Sequence, residues 1–161
     1  MTFAITDLSD AHDAQLRYPN PVFNDYGGRA CFYGPVITLR AFEDNSLVRE
    51  AVEQAGDGHV LVVDGGGSMN CALFGGNLAT LAANNGWAGV VIYGCVRDSE
   101  ELAAANVGIK ALAVHPRKSE KRGRGTRDIP VHFAGVSVAP GDWLYADRDG
   151  IIIAAQDLNL A

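Results

Sequence analysis

The stretch that decides the fold is "HVLVVDGGGSMNCALFGGNLATLAANNGWAGVVIYG", residues 59–94. Its first apolar run is typical of a buried strand, and a glycine turn follows it. Residues 75–86 then place Leu78, Leu81 and Ala82 on one helical face, and Gly86 is a suitable C-cap. A second apolar run occupies 88–94. The order of strand, helix and strand predicts two neighbouring strands that are joined by this helix.

The flanking sequence extends the pattern in both directions. We predict a helix at 6–16, one or two strands at 27–42 and a helix at 43–56. A helix at 99–108 and a strand at 109–116 follow the central stretch. Residues 129–155 read as strand, turn, strand, turn, strand with no helix between. We therefore expect an α/β protein, a three-layer β/β/α sandwich in a single domain over residues 1–161.

Composition narrows the function classes. No apolar run is long enough for a membrane span, and the acidic N-terminus does not resemble a signal peptide. The net charge of −6 disfavours direct nucleic-acid binding. Segment 115–128 nevertheless holds six of the 13 Lys and Arg residues. A solvated loop is the favoured interpretation of this basic segment, and an anion or partner contact is the alternative.

The three cysteines, Cys31, Cys71 and Cys95, are widely spaced and form no CxxC pair. This spacing indicates neither a zinc site nor a disulfide framework. We expect buried free thiols in a reducing cytoplasm. The four histidines are dispersed along the chain and do not suggest a metal cluster.

Two glycine-rich segments are candidates for binding. "DGGGSMN" at 64–70 follows a strand but lacks the spacing and the lysine of a phosphate loop, so a tight turn is the better interpretation. "FGGNLA" at 74–79 leads straight into a helix, whose first N–H groups are free to bind a carboxylate or phosphate. A plain tight turn is the alternative there.

Arg97 and Asp98 stand at the carboxyl end of the next strand, the edge where α/β sheets usually bind ligands. The glycine-led helix start should lie at the same edge. Arg can clamp a carboxylate with two donors, and Asp is a hard oxygen ligand for Mg²⁺ or Mn²⁺. More commonly, an Arg and an Asp adjacent in sequence form a surface ion pair or cap a helix.

Residues 60–102 as a whole resemble the RraA-like family, which contains the regulator of ribonuclease activity A and class II 4-hydroxy-4-methyl-2-oxoglutarate aldolases. The likeness continues in "NVGIKALAVHPRKSEKRGRG" and "PGDWLYADRDGIII", and an echo is present in "GGRACFYGPVITLRAFEDNSLV". The resemblance implies the swivelling β/β/α fold and a homotrimer with active sites at subunit interfaces.

By the same resemblance, Arg97 binds the pyruvyl group, Asp98 ligates the divalent cation, and the backbone amides of Gly75, Gly76, Asn77 and Leu78 hold the carboxylate. Glu101 matches an acid that family members often carry three residues after the Asp. Gly76 departs from the many aldolases that have an acid at that position. Longer members have a C-terminal acid that reaches over from a neighbouring subunit, and we expect this acid to be missing in this short chain.

The resemblance implies a small 2-oxo acid as substrate and a lyase reaction that passes through a pyruvate enolate. A cation and an Arg at one place would stabilise that negative charge. Oxaloacetate decarboxylation gives the same enolate and is an expected second activity. No Lys is placed by motif for a Schiff base. The alternative is a regulator that binds and inhibits ribonuclease E, and the presence of Asp98 favours the lyase.

Overall fold

The computed structural model describes residues 2–160. Its helices are α1 (Ile5–His12), α2 (Ser46–Val52), α3 (Gly76–Asn84) and α4 (Ser99–Ala104), and a 3-10 turn covers Asp13–Gln15. The strands are β1 (Leu16–Arg17), β2 (Asn24–Asp25), β3 (Phe32–Arg40), β4 (Val60–Asp64), β5 (Ala72–Phe74), β6 (Gly89–Val96), β7 (Gly108–Val114), β8 (Thr126–Arg127), β9 (Val131–Phe133), β10 (Val136–Val138), β11 (Trp143–Asp147) and β12 (Gly150–Ala154).

The main sheet has ten strands, eight of them in the order β1-β12-β11-β3-β4-β6-β7-β2, with β5 beside β6 and β8 beside β3. Strands β3, β4, β6 and β7 are parallel to one another. Strand β11 pairs antiparallel with β3 and β2 pairs antiparallel with β7. Beyond β11, β12 and β1 continue the sheet with further antiparallel pairs. Strands β4 and β6 are direct neighbours, and α3 lies between them in sequence. The central prediction of strand, helix and strand is therefore confirmed.

Both faces of the sheet are covered, as the three-layer prediction requires. On one face, Val48 of α2, Leu78 of α3 and Leu102 of α4 pack on the sheet and are buried. On the other face, the β9–β10 hairpin packs with Val131 and Val138 in the second core. The predicted β/β/α sandwich is therefore correct.

The predicted meander at 129–155 is wrong in one respect, because it is two hairpins in different sheets. Strands β9 and β10 form their own two-stranded sheet, whereas β11 and β12 join the main sheet through β3. The break comes at Ala139–Asp142, where Gly141 has a φ of +87°. The buried Asp142 carboxylate accepts the N–H of Ala139 and stabilises the turn. Two consecutive hairpins can thus lie on different layers.

The helices are shorter than predicted. Helix α2 begins at Ser46 rather than near 43, because residues 43–45 pair with the basic segment instead: Glu120 donates to the Glu43 carbonyl, and Asn45 donates to the Glu120 carbonyl. Helix α4 ends at Ala104 and not at 108. Within residues 2–160, no helix has the length and apolar character that crossing a membrane requires.

Two of the cysteines match the expectation of buried free thiols. Cys71 and Cys95 are free and buried, and burial raises the pKa of both thiols. Cys31 is also free but only half-buried, at the start of the sheet. Its partial exposure departs from the prediction.

Candidate active site

A cleft of about 170 Å³ opens at the carboxyl edge of the parallel strands. It brings together the glycine-led start of α3 and the pair that follows β6, as the sequence predicts. The backbone confirms this proximity, since the Arg97 N–H donates to the Phe74 carbonyl at 2.9 Å. The cleft is lined by Asn45, Arg49, Ala72, Phe74, Gly75, Gly76, Asn77, Leu78, Arg97, Asp98, Lys118, Ser119 and Lys121.

Asp98 turns the chain so that its carboxylate faces α3. Its backbone is left-handed, with φ +61° and ψ +51°, a conformation that Asp tolerates better than most residues. Its Oδ2 accepts the Gly76 N–H at 2.9 Å, and a Cβ on Gly75 would lie only 2.7 Å from the same oxygen. A side chain at position 75 would therefore displace the Asp98 carboxylate from this position. The helix-cap interpretation is correct for one oxygen, while Oδ1 has no hydrogen bond within the described chain.

The start of α3 keeps free donors for an anion. Gly76 donates to Asp98, and Ala79 begins the intrahelical pattern by donating to the Gly75 carbonyl. Between them, the N–H groups of Asn77 and Leu78 have no acceptor among residues 2–160. Two adjacent unpaired N–H groups at the positive end of a helix dipole attract a carboxylate or phosphate.

Arg97 is half-buried, and most N–H donors of its guanidinium have no hydrogen-bond partner within residues 2–160. Its one side-chain hydrogen bond runs from Nη1 to the Pro116 carbonyl at 3.3 Å. Within residues 2–160 it makes no ion pair with Asp98 or Glu101. The interpretation of Arg97 as half of a surface ion pair is therefore not supported, and its remaining donors are available to a ligand.

The basic segment contributes side chains that the sequence alone did not place here. Lys118, Ser119 and Lys121 line the cleft, because Lys118 forms a parallel bridge with Ala72 and the Ala72 N–H donates to the Arg117 carbonyl at 2.8 Å. The solvated-loop interpretation holds for the exposed Arg122 and Arg124 but is incomplete for the two lysines. Asn45 and Arg49 were also missed.

Asp44 fixes the basic segment to the start of α2. This carboxylate is only 1% exposed, and its oxygens accept the N–H and hydroxyl of Ser46 and the N–H groups of Arg122 and Arg124. Burial by itself would raise the pKa of Asp44, but these hydrogen bonds outweigh it and hold the pKa below its ordinary value. Hydrogen bonds that a buried carboxylate accepts stabilise its ionised form.

The other glycine-rich segment is a tight turn, as predicted. Gly66 and Gly67 both have positive φ, and a Cβ on Gly65 would lie 2.8 Å from the Tyr93 carbonyl oxygen. Beside it, Ser68 and Asn70 donate to Glu43, and these hydrogen bonds lower the pKa of the Glu43 carboxylate. No nucleotide-binding geometry is needed to explain this turn.

The donor set suits a hard divalent cation held mainly by water. Residues 2–160 contain no cluster of three or more His, Cys, Asp or Glu side chains. Mg²⁺ commonly binds through one or two carboxylates and keeps its remaining waters, so a large protein cluster is not required. The exposed Asp98 carboxylate with its unoccupied Oδ1 fits that mode of binding.

The Glu101 carboxylate lies beside residue 76, the position at which many family members carry an acid. A Cβ on Gly76 would clash with the Glu101 carboxylate, whose Oε2 fills that space. A side chain at residue 76 and the present conformation of Glu101 thus exclude each other. The space that a side chain of residue 76 would fill in α3 is thus occupied by a carboxylate from α4.

Comparisons with known proteins agree with this architecture. The family model RraA-like, described as Aldolase/RraA, matches residues 5–153. A protein from Alkalilimnicola ehrlichii, named "Putative 4-hydroxy-4-methyl-2-oxoglutarate aldolase", is 60% identical over 158 residues, 98% of each chain. A Burkholderia multivorans protein with the same name is 58% identical over 164 residues and covers 99% of this chain and 100% of its own.

Two solved structures are also closely similar. The RNA-processing inhibitor RraA from Thermus thermophilis has a TM-score of 0.93 and 51% identity and covers 97% of this chain and 94% of its own. A structure named as an S-adenosylmethionine: 2-dimethylmenaquinone methyltransferase, from Geobacillus kaustophilus, has a TM-score of 0.95 and 46% identity, with 97% of each chain covered. Proteins named for three different activities share this fold, so the fold does not decide the activity. The match to the family model and the identity to these relatives show that the chain belongs to the RraA-like family.

Proposed function

We propose that the protein is a divalent-metal-dependent aldolase that cleaves 4-hydroxy-4-methyl-2-oxoglutarate to pyruvate. The observation that carries this proposal is the cleft itself. It joins two free N–H groups, an Arg without an acidic partner and an Asp with an unoccupied oxygen. The names of relatives at about 60% identity support the same reaction class.

Each group has a defined task in this proposal. The N–H groups of Asn77 and Leu78 bind the C1 carboxylate of the substrate, and Arg97 donates to the 2-oxo oxygen. Asp98 holds Mg²⁺ or Mn²⁺, which when bound supplies Lewis acidity at the 2-oxo group. Arg97 contributes more in the transition state than in the ground state, because negative charge grows on the oxygen that it contacts.

The bond changes are those of a retro-aldol cleavage. The C3–C4 bond breaks and its electron pair remains on the pyruvyl fragment as an enolate. The C4 hydroxyl loses its proton and becomes the carbonyl of a second pyruvate. Protonation of the enolate carbon gives the first pyruvate. In oxaloacetate the C3–C4 bond breaks with loss of CO₂ and leaves the same enolate, so we propose decarboxylation as a second activity.

A pyruvate-release assay tests the proposal. Purified protein is supplied with 4-hydroxy-4-methyl-2-oxoglutarate or oxaloacetate, with Mg²⁺, with Mn²⁺, or with a chelator. We expect release from both substrates that is lost with the chelator and restored by either cation. Release that is indifferent to the chelator would contradict metal dependence, and no release from either substrate would contradict the aldolase proposal.

The second candidate function is inhibition of ribonuclease E. The 51% identity to a protein named as an RNA-processing inhibitor favours it specifically. Purified protein would be added to ribonuclease E and an RNA substrate, and the cleavage rate would be measured. Slowed cleavage by both the wild type and Asp98→Asn would support a regulator that does not depend on the proposed active site.

We also propose a homotrimer. Exposed apolar side chains follow three strands of the parallel set at the edge that holds the cleft: Phe42 after β3, Met69 after β4 and Val114 at the end of β7. Their exposed fractions are 61%, 53% and 52%. Contact with another subunit would remove this surface from water. Light scattering should give three times the 17.0 kDa chain mass, and a monomer mass would contradict the assembly.

A further inference from the structure

We infer that a cavity of about 430 Å³ beside Lys110 is a binding site for a neutral aromatic molecule that carries a carbonyl oxygen. The cavity lies between the start of α1, the segment at 18–23 and the β11–β12 turn. Within the described chain it shares no lining residue with the cleft at α3. The inference therefore adds a second site and does not depend on the proposed function.

A buried donor indicates the polar end of this ligand. Lys110 lines the cavity, yet its side chain is only 2% exposed. An ammonium group has three N–H donors. Two of them are taken by Asp25 Oδ1 at 2.8 Å and by the Asp147 carbonyl at 2.6 Å, and the third has no acceptor among residues 2–160. Because an unsatisfied buried donor costs free energy, an oxygen atom of a ligand in the cavity would stabilise the complex.

The charges around the cavity favour a neutral ligand over an anion. Asp25 already balances the positive charge of Lys110, and the exposed Arg148 and Asp149 in the lining have opposite charges. The Asp147 carboxylate, which accepts two backbone N–H groups, adds negative charge nearby. A carboxylate on the ligand would therefore lose its hydration without a net positive field to replace it. A carbonyl oxygen accepts the Lys110 N–H at a smaller desolvation cost.

The rest of the lining favours an aromatic ring. Tyr18 and Phe23 contribute two aromatic side chains, and Ile5, Ile151 and Ile152 are buried beside the cavity. Aromatic rings prefer edge-to-face or offset packing, and a flat ligand can adopt either arrangement against such side chains. A cavity of several hundred Å³ with mainly apolar walls and a few polar groups is typical of small-molecule sites.

Both aromatic side chains are held in place within the chain itself. The Tyr18 hydroxyl donates to Asp13 Oδ1 at 2.6 Å and shares a hydrogen bond of 2.7 Å with the Ser9 hydroxyl. The Phe23 ring packs edge to face against Phe133, with ring centroids 5.9 Å apart. Side chains that are already fixed lose little entropy when a ligand binds, so the cavity is preorganised.

Titration with three probes of similar size tests the inference. Acetophenone is neutral and has a carbonyl oxygen, benzoate has a charged carboxylate instead, and ethylbenzene has no acceptor. Each probe is added to isotope-labelled protein, and the backbone amide shifts are followed by NMR. We expect acetophenone to shift amides around Phe23 and Ile151, with a Kd on the order of 0.1–1 mM for so small a ligand. It should bind about 3- to 10-fold more tightly than either other probe, the usual effect of one hydrogen bond.

Two tryptophan variants locate the bound probe. Thr6 is exposed and lines the cavity, so the indole of Thr6→Trp would occupy space that the ligand needs. Asp7 is the matched control position, because it is the exposed neighbour of Thr6 in α1 and does not line the cavity. We expect acetophenone affinity to fall about 10-fold or more in Thr6→Trp and to stay within about 2-fold in Asp7→Trp.

Lys110→Met tests the hydrogen bond itself. Without the ammonium donor, acetophenone should bind no more tightly than ethylbenzene does. An acetophenone titration without shifts around the cavity would overturn the inference, as would benzoate or ethylbenzene binding as tightly as acetophenone in the wild type. Equal losses in the two tryptophan variants would also overturn it. Because binding is measured without substrate, the result is independent of pyruvate release, which should stay within about 2-fold of wild type in Thr6→Trp.

Discussion

Two cationic regions of this molecule differ in how completely their charges are satisfied. Lys110 is 2% exposed, and its Nζ contacts Asp25 Oδ1 at 2.8 Å and the Asp147 carbonyl at 2.6 Å. It borders a cavity of about 430 Å³. Arg97 and Lys118 border a cleft of only about 170 Å³ and have no acidic partner within the described chain.

The difference shows that unsatisfied charge identifies this site better than cavity volume does. A buried cation must be paired for the fold to tolerate it, and Lys110 meets that requirement within the chain. Arg97 is half-buried and Lys118 is exposed, so water can solvate both charges in the empty cleft, and their donors remain available to an anionic ligand. The larger cavity therefore adjoins a structural ion pair, and we expect an anionic ligand in the smaller cleft instead.

Asp98→Asn should have the largest effect on the active cleft. The amide oxygen can still accept the Gly76 N–H, so the fold should persist, but the charge that holds a divalent cation is lost. We expect metal-dependent pyruvate release to fall below detection with little change in melting temperature. Full activity in this variant would refute the role of Asp98.

Arg97→Ala should lower turnover by about 10²–10³, the usual loss for one donor to a developing oxyanion. Arg97→Lys should recover little, because an ammonium group cannot reproduce the planar pair of donors. The measurement is kcat for oxaloacetate decarboxylation, together with a melting curve. A lower melting temperature with activity within a few-fold of wild type would reveal a structural role instead.

Lys110→Met should give the reverse outcome. It removes a buried hydrogen-bonded cation and leaves Asp25 and the Asp147 carbonyl without their partner. We expect a destabilisation of about 1–3 kcal/mol, which lowers the melting temperature by roughly 3–10 °C. Activity should stay within about 2-fold. Activity that collapses while stability holds would move the candidate site to the larger cavity.

We expect the smallest effect, a decline in melting temperature, from lowering the pH until Asp44 is protonated. The folded-state pKa of Asp44 lies below its ordinary value, so its anchoring is fully present above pH 4 or so and is lost as pH falls through the lowered value. Asp44→Asn should therefore show a flatter decline of melting temperature between about pH 5 and 3 than wild type. Parallel declines would show that Asp44 does not couple the basic segment to folding.

The sequence predicted the parts of the fold that local pattern encodes. The apolar runs of β4 and β6 and the face of α3 were all readable, and they placed Arg97 and Asp98 beside Gly75 and Gly76. The cationic character of the basic segment is evident from the sequence, but its position beside the cleft is not. Lys118 reaches the cleft through a bridge to Ala72, forty-six positions earlier in the chain, and no local periodicity records such a pairing. Strand β5 is three residues long and was missed for the same reason.

The cleft is lined by four segments that are separated in sequence, 45–49, 72–78, 97–98 and 118–121. These segments meet only after strands β3, β4, β6 and β7 have assembled in that order. No fragment of the chain can hold the ligand before the sheet has closed. A ligand of this cleft therefore binds the native state alone and shifts the folding equilibrium toward it. A rise in melting temperature with 2-oxoglutarate would thus report on the integrity of the whole sheet.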